Sequence, residues 1–376
     1  MFYPDENSES RLLRKIFKQQ SRINLNRLKS CHKRHFRMDW NDTLTIVVNQ
    51  GCHYKCKSCF RTQREVRIMD EALLNRTVNY ASGHFHSVSI TGGEPTECIE
   101  MIVNTAKQHP NMRINITTNG EAFNNKTVES IGSSSNIYPI ISLNGIGEIH
   151  DFSRHPGSFN RVLETIQKLS VRHIPFGILT VVNRSNVIQL LSNEFVDFVD
   201  RIGACTLEFF QYYPIGDSAL QNGKLMLSSE DMDSSLKYRS ELARLNPYGF
   251  RYRYSQANSK RCHRALQIFI DGSVSFCPFS CWGFDKISTT DSDEAIKQKL
   301  NRYNPEWKKL TAQSPAYCPL QSNTKGYIEF FSEYGLELFR PTGILNKASD
   351  VHNLYCYNAL NSEILNPGVL THNFIY

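Results

Sequence analysis

The sequence predicts an α/β protein: an open, partial barrel of six βα units, followed by a smaller unit that carries its own cysteines. Three observations support this. From residue 44 to about 210, short apolar runs alternate with amphipathic stretches, the pattern of parallel strands joined by helical crossovers. Beyond about residue 215 the alternation stops. The cysteines form two groups, one behind the first strand and one after residue 260.

Strands are expected at 44–48, 88–91, 114–118, 140–143, 176–182 and 206–210. They are mostly rich in β-branched or aromatic residues and bounded by turn residues, as buried strands are. Helices are expected around 70–82, 99–108, 125–132, 158–171 and 187–201, with Val162, Ile166 and Leu169 marking one apolar face. Six units are fewer than the eight of a closed barrel, so the sheet should stay open. A polar stretch at 216–224, a helix-like segment near 229–245 and the turn signal at 246–249 put a boundary between 215 and 250. The expected division is a basic N-terminal arm at 1–41, the barrel at 42–240, and the second cysteine unit with an aromatic tail at 241–376.

With 40% hydrophobic and 21% charged residues in 376, wholesale disorder and collagen-like structure are excluded. Near-continuous apolar runs such as 176–182 are short against the roughly 20 residues of a membrane helix, so no membrane span is expected. The opening Tyr3, Pro4, Asp5 and Glu6 contain no apolar core of a secretion signal, which points to the cytoplasm. Thiols there stay reduced, so the eleven cysteines, an odd number, read as metal ligands or catalysts rather than disulfides. Of the net charge of +7, residues 1–40 hold +6, from ten Lys/Arg against four acids. Such an arm either meets an anionic substrate, nucleic acid or acidic protein, or is a solvated basic helix packed on the body.

Cys52, Cys56 and Cys59 stand at C-x3-C-x2-C spacing behind the first strand. Three thiolates on one short loop suit three irons of a cubane iron–sulfur cluster and leave the fourth iron open. An open coordination position is what a catalytic metal needs, and strand C-terminal ends are where barrels place active sites. A zinc knuckle is the alternative, with His53 as a fourth ligand, although zinc sites normally use paired Cys or His sets.

This spacing resembles the signature of the radical S-adenosylmethionine (SAM) enzymes. Thr91-Gly92-Gly93-Glu94-Pro95 is similar to the motif with which that family holds the methionine amino group of SAM. Glycines permit close backbone approach to a ligand, and a carboxylate suits an ammonium. Ile116-Thr117-Thr118-Asn119-Gly120, Ser142-Leu143-Asn144-Gly145 and the run from His150 through Arg154 to Gly157-Ser158-Phe159 resemble the branch with a C-terminal SPASM or Twitch extension. The resemblance assigns Ser142 and Arg154 to the ribose and carboxylate of SAM. The other reading of Arg154 is a surface arginine paired with Asp151. Two positions depart from the family: Ser58 replaces the usual aromatic before the last cysteine, with Phe60 following, and Asn144 replaces an aspartate.

Cys262, Gly272 and Cys277 match the C-x9-G-x4-C opening of that extension, with a hairpin turning at Asp271-Gly272. Cys281 and Cys318 complete four ligands for one auxiliary [4Fe-4S] cluster, or for a structural zinc. The further cysteine run of a full SPASM unit is absent, so the Twitch form is favoured. Cys31, Cys98, Cys205 and Cys356 read as inert thiols, with Cys98, Cys205 and Cys356 the candidates for a hydrogen-atom donor.

The resemblance covers roughly residues 42–320. It implies reductive cleavage of SAM at a [4Fe-4S] cluster to a 5′-deoxyadenosyl radical that takes a hydrogen from substrate. Flavodoxin or ferredoxin would supply the electron. The implied outcome is modification of a peptide or protein side chain, by oxidation, crosslinking or epimerisation. The alternative is dehydrogenation or epimerisation of a small metabolite such as a sugar or nucleoside. About 40 residues precede the cysteine loop, fewer than the separate leader-binding domain of many peptide maturases needs. Neither a membrane nor a nucleic-acid partner is expected. The aromatics after 325 read as core packing, a cap over the barrel mouth, or a substrate wall.

Overall fold

The strand Thr43–Asn49 (β1) runs straight into the first cysteine loop and lies inside the sheet, not at its edge. A computed structural model describes residues 43–59, 67–121, 123–212, 223–228, 230–231, 233–235, 237–238, 241, 251–255, 266–277, 283–312, 329–330 and 333–334. The basic arm, Cys31, Phe60, Cys262, Cys281, Cys318, Cys356 and most of the aromatic tail lie outside these residues. Ser87–Gly92 (β2), Arg113–Thr118 (β3), Ile137–Ser142 (β4), Gly177–Val182 (β5) and Thr206–Gln211 (β6) follow β1 in order, each parallel to the one before. All six expected strands are present. β4 starts three residues early because Pro139 reads as a strand breaker. The β4–β5 ladder begins only at Ile140↔Gly177, so the missing Pro139 N–H removes no rung on that side.

The sheet continues past both ends of the expected barrel. Arg251–Ser255 (β7) adds a seventh parallel strand beside β6, registered from Thr206↔Arg251 to Phe210↔Ser255. On the other side Gln267–Ile268 (β8) pairs in parallel with β1 at Thr45↔Gln267 and Ile46↔Ile268. The hairpin partner Ser273–Ser275 (β9) and then Asp285–Lys286 (β10) extend this edge antiparallel. The strand order is β10-β9-β8-β1-β2-β3-β4-β5-β6-β7, and among the described residues the sheet stays open between β10 and β7.

Helices Glu71–His84 (α1), Ile99–Gln108 (α2), Asn125–Gly132 (α3), Glu148–Ser153 (α4) and Ser158–Val171 (α5) connect the strands. Two of the N-termini have a local cause: Asp70 caps α1 by accepting from Leu73 N, and Asn124 caps α3 by accepting from Thr127 N. The helix expected over 187–201 divides into Val187–Leu190 (α6) and Asn193–Arg201 (α7), because Ser192 caps a fresh start at Phe195 N. Val88, Ile90, Ile114, Ile116, Leu207 and Phe209 pack with helix residues such as Leu74, Ile102, Val162 and Val199 in the main core. The opposite face of the strands carries buried polar residues, among them Ser87, Ser89, Asn115 and Glu208, beside a small cluster of Tyr138 and Ile140, and Tyr138 bonds Thr206 through their hydroxyls at 3.0 Å.

The C-terminal unit adds Asp293–Asn301 (α8) and Asn304–Ala312 (α9). Its centre is aromatic, with Phe284 at 4.7 Å from Phe276 and 5.1 Å from Trp307 between ring centroids. Phe330 of the tail packs on Phe284 and Trp307, so this tail residue is core. Arg76 of α1 ties the unit to the barrel, donating to Asp291 O at 2.8 Å and to Asp293 Oδ1 at 2.6 Å.

The β8–β9 turn follows the expected Asp-Gly chemistry. Gly272 has φ +88, and a Cβ there would sit 2.1 Å from Ile287 O. Gly272→Ala should therefore destabilise by about 2–3 kcal/mol, from left-handed strain plus a displaced backbone. A denaturant melt checks this, and an unchanged midpoint would refute it.

Candidate active site

The loop behind β1 holds Cys52, Cys56 and Cys59 at partial exposure, with Cys59 N donating to Cys56 O at 3.1 Å. Burial pushes the Cys52 thiol up to about 12, against the opposing hydrogen bond with the Tyr54 backbone; Glu94 adds to the rise. Such a thiol ligates iron only after losing its proton, so a cluster bound at this loop would displace protons. Among the described residues no three His, Cys, Asp or Glu side chains gather around a single-ion position.

The turn after β2 lies directly on this loop. Gly93 N donates to Asn49 O at 2.9 Å and Glu94 N to Gly51 O at 2.8 Å. A Cβ on Gly92 would stand 2.2 Å from Asn49 Oδ1, and one on Gly93 would stand 1.9 Å from Gly51 O. The two glycines thus let backbone meet backbone between neighbouring loops, a tighter requirement than the ligand approach expected from sequence. Asn49 completes the junction, its Nδ2 donating to Glu94 O at 2.9 Å and Gly51 O at 3.3 Å.

Glu94 is buried, and its carboxylate gathers four donors. Oε1 accepts from Thr96 N at 3.1 Å, Thr96 Oγ1 at 2.6 Å and Thr118 Oγ1 at 2.6 Å, and Oε2 accepts from Asn119 N at 2.7 Å. Burial raises its pKa, and these hydrogen bonds pull it back. Glu94 thereby joins the end of β2 to the end of β3, which explains Thr118-Asn119 as well as the Gly-Gly-Glu-Pro run.

Ser142 is buried at the end of β4. Arg154 lies beside the cysteines, its Nη1 donating to Cys56 Sγ at 3.6 Å, while its Nε is buried without a hydrogen-bond partner. Burial opposes its charge, yet Cys56, Cys59 and Glu121 outweigh this and its pKa rises. Asp151 is engaged elsewhere. It caps α5, accepting from Gly157 N at 2.6 Å, Phe159 N at 2.8 Å and Ser158 Oγ at 3.0 Å. The Asp151 pairing is therefore not what holds Arg154. A half-buried guanidinium with a spare donor next to a three-cysteine loop fits a carboxylate ligand beside an iron–sulfur cluster.

Asn144 keeps the hydrogen bond that an aspartate oxygen would accept, from Val181 N at 3.0 Å, and its own N–H donates to His150 Nδ1 at 3.0 Å. Burial lowers the His150 pKa well below 6.5, so the native state holds it neutral. The sign follows: unfolded chain binds the proton more tightly, so His150 contributes stability above about pH 6.5 that is lost on acidification. Each unit below that pH should cost up to ~1.4 kcal/mol until the folded pKa is reached. His150→Asn, which retains an acceptor near Nδ1, should flatten this dependence in melts between pH 7 and 5.

The remaining thiols separate by position. Cys98 ends the short 3-10 turn Pro95–Cys98, is buried, and has its thiol pushed up to about 11 by burial and then by Glu97 and Glu94. Cys205 immediately precedes β6 and packs with Tyr138, Ile140 and Leu179. It therefore sits at the strand-start end of the sheet, opposite the cysteine loop, a poor location for a hydrogen-atom donor at that loop. Cys277 follows β9, where Ser275 is level with Gln267 and so with Thr45 near the start of β1. Roughly 20 Å of strand separates this level from the Cys52 loop.

Four further residues, none of which stands out in the sequence, surround the site. Glu121 Oε2 receives Arg161 Nε at 2.9 Å and His155 Nε2 at 2.8 Å, and the Tyr54 ring stacks on His155 at 4.0 Å. They are separated by up to about a hundred positions in the chain, so no local pattern could have joined them.

Residues 46–191 match the family model described as the radical SAM superfamily. The chain is 29% identical over 160 residues to a cysteine-type anaerobic sulfatase-maturating enzyme of Clostridium novyi, spanning 36% of this chain and 42% of that protein. It is 25% identical over 149 residues to the sporulation killing factor maturation protein SkfB of Bacillus subtilis, spanning 38% and 36%. The chain thus spans about two fifths of the length of these curated relatives. In fold it is similar to Streptococcus suis SuiB bound to precursor peptide SuiA, with a TM-score of 0.56 at 19% identity over 74% of this chain and 68% of that one. The stretch that matches the radical SAM superfamily thus runs from β1 to the end of α6 and takes in the three-cysteine loop, Glu94 and Arg154.

Proposed function

We propose that this enzyme modifies a side chain of a peptide or protein, by oxidation, crosslinking or epimerisation. The observation that carries the chemistry is Arg154, a half-buried cation whose Nη1 lies 3.6 Å from Cys56 Sγ and whose buried Nε has no hydrogen-bond partner. The names of the relatives, two maturation enzymes and a structure holding a precursor peptide, support the substrate class. Cys52, Cys56 and Cys59 would hold a [4Fe-4S] cluster, which with SAM supplies the radical that removes a substrate hydrogen. The chain's own part is to bind and orient. Arg154 takes the SAM carboxylate, the Gly92-Gly93-Glu94 loop takes its amino group, and Ser142 takes the ribose. Cys262, Cys277, Cys281 and Cys318 would hold an auxiliary [4Fe-4S] cluster in a Twitch-like unit over 241–376, beyond a barrel at 42–240 and a basic arm at 1–41. A flavodoxin or ferredoxin in the cytoplasm would donate the electron. No helix among the described residues is long and apolar enough to cross a membrane.

The test uses anaerobically reconstituted full chain, SAM, dithionite and a mixture of synthetic peptides presenting each side chain. Release of 5′-deoxyadenosine is expected, with loss of hydrogens or uptake of deuterium from heavy water in one peptide class. Consumption of a sugar or nucleoside with every peptide unchanged would move the assignment to a small metabolite. Absence of 5′-deoxyadenosine under all conditions would sink the proposal.

A further inference from the structure

The cysteine loop is gripped along its length by one short segment, the end of α4 and the residues after it. Lys57 Nζ sits 3.1 Å from the centre of the Phe152 ring, and Lys57 N donates to Ser153 O at 3.1 Å. Arg154 Nη1 reaches Cys56 Sγ at 3.6 Å. His155 stacks on Tyr54, with ring centroids 4.0 Å apart and planes within 10°. The contacts run in order, residues 152–155 against 57, 57, 56 and 54.

His155 differs from the other three in being fixed from behind. Its Nε2 lies 2.8 Å from Glu121 Oε2, a carboxylate only 1% exposed. Its Nδ1 lies 2.8 Å from Arg161 Nη2. A guanidinium only donates, so Nδ1 accepts and Nε2 carries the proton given to Glu121. Arg161 closes the triangle through Nε to Glu121 Oε2 at 2.9 Å and also donates to Pro156 O at 3.1 Å. Both ring nitrogens are thus engaged in one orientation, and that orientation sets the plane on which Tyr54 rests. Glu121 belongs to the β3 loop and Arg161 to α5, so the ring is referenced to the barrel body rather than to the loop it supports.

We propose that His155 is a positioning residue, held by Glu121 and Arg161, which fixes Tyr54 and thereby the register between the cysteine loop and Arg154. Arg154 is the adjacent residue, so a loose ring at 155 frees both the guanidinium and the loop it contacts. The inference rests on the proposed binding of the SAM carboxylate by Arg154.

The experiment compares wild type, His155→Ala, His155→Phe and Arg154→Gln as reconstituted full chains. Iron content, SAM dissociation constant by equilibrium dialysis, and the electron paramagnetic resonance spectrum of the reduced protein with and without SAM are measured. His155→Ala should keep its iron, bind SAM about tenfold more weakly, the scale of one lost aromatic contact with its hydrogen bonds, and show a blunted spectral response to SAM. His155→Phe, which preserves the stack, should recover most of the affinity. Wild-type affinity and spectrum in His155→Ala overturn the proposal while leaving the Arg154 assignment standing. So does a parallel loss of iron and melting temperature in both His155 variants, which would mark a purely structural residue. Wild-type affinity in Arg154→Gln removes the Arg154 assignment and the proposal with it.

Discussion

Alanine at Cys52, Cys56 and Cys59 together should halve the iron of the anaerobically purified protein, from about eight to about four per chain. The three thiols sit on one loop, and Arg154 beside Cys56 offsets the negative charge that thiolates and sulfide would bring. Cys277 lies at the other end of β1, so its own site should survive the triple replacement. Sulfide should fall in parallel, and SAM-dependent release of 5′-deoxyadenosine should disappear. Native protein with about four irons, all lost in the variant, would leave the second cysteine set to zinc or to free thiols. Zinc with no iron would refute the cluster altogether.

Gly93→Ala should be the most damaging single substitution in the site. The added Cβ would meet Gly51 O at 1.9 Å and Gln50 O at 2.7 Å, both backbone atoms that no rotamer can move aside. Relief requires the β2 turn to lift from the cysteine loop, breaking Gly93 N–Asn49 O and Glu94 N–Gly51 O. Each buried group left unsatisfied costs about 1–3 kcal/mol, so a loss of roughly 3–6 kcal/mol is expected. That is a large part of the 5–15 kcal/mol typical of a folded domain, and it should appear as a drop of roughly 10 °C in Tm or as insoluble protein. Gly83→Ala is the matched control, because nothing stands within 4 Å of its Cβ position. Equal melting of the two variants would refute the close-contact argument.

The barrel was legible because its strands are buried on a core face and bounded by turns, and five of its helices carry a regular apolar stripe. The second cysteine hairpin was legible for the same local reason, an Asp-Gly turn between short apolar runs. β7 was not: its Arg-Tyr-Arg-Tyr alternation follows a turn signal and contains no aliphatic residue. The break between α6 and α7 was also missed, since Ser192 reads equally well as a helix surface residue until its cap bond is seen. In the site, spacing drew attention to the three cysteines, which share one loop, and the motif drew attention to Glu94, which is buried beside it. Their use was hidden. Glycines 92 and 93 serve a loop-to-loop contact, Asp151 serves a helix cap, and Glu121 with His155 and Arg161 forms a cluster assembled from three separate elements.

The parallel pairing of β8 with β1 also governs the order in which the chain is completed. Thr45 and its partner Gln267 are more than 200 residues apart, although neighbouring strands elsewhere in the barrel pair with the next βα unit. At a synthesis rate of about 5–20 residues per second, the edge of β1 waits roughly 10–45 s on the ribosome for its last neighbour. During that interval its backbone groups present an open strand edge, and the cysteine loop directly behind it has already emerged. Contacts of such long separation also slow folding, because loop closure must precede the gain from pairing. A nascent chain of this protein therefore passes through a stage in which the strand leading into the cysteine loop is formed but uncovered, the stage most exposed to aggregation and to oxidation of its thiols.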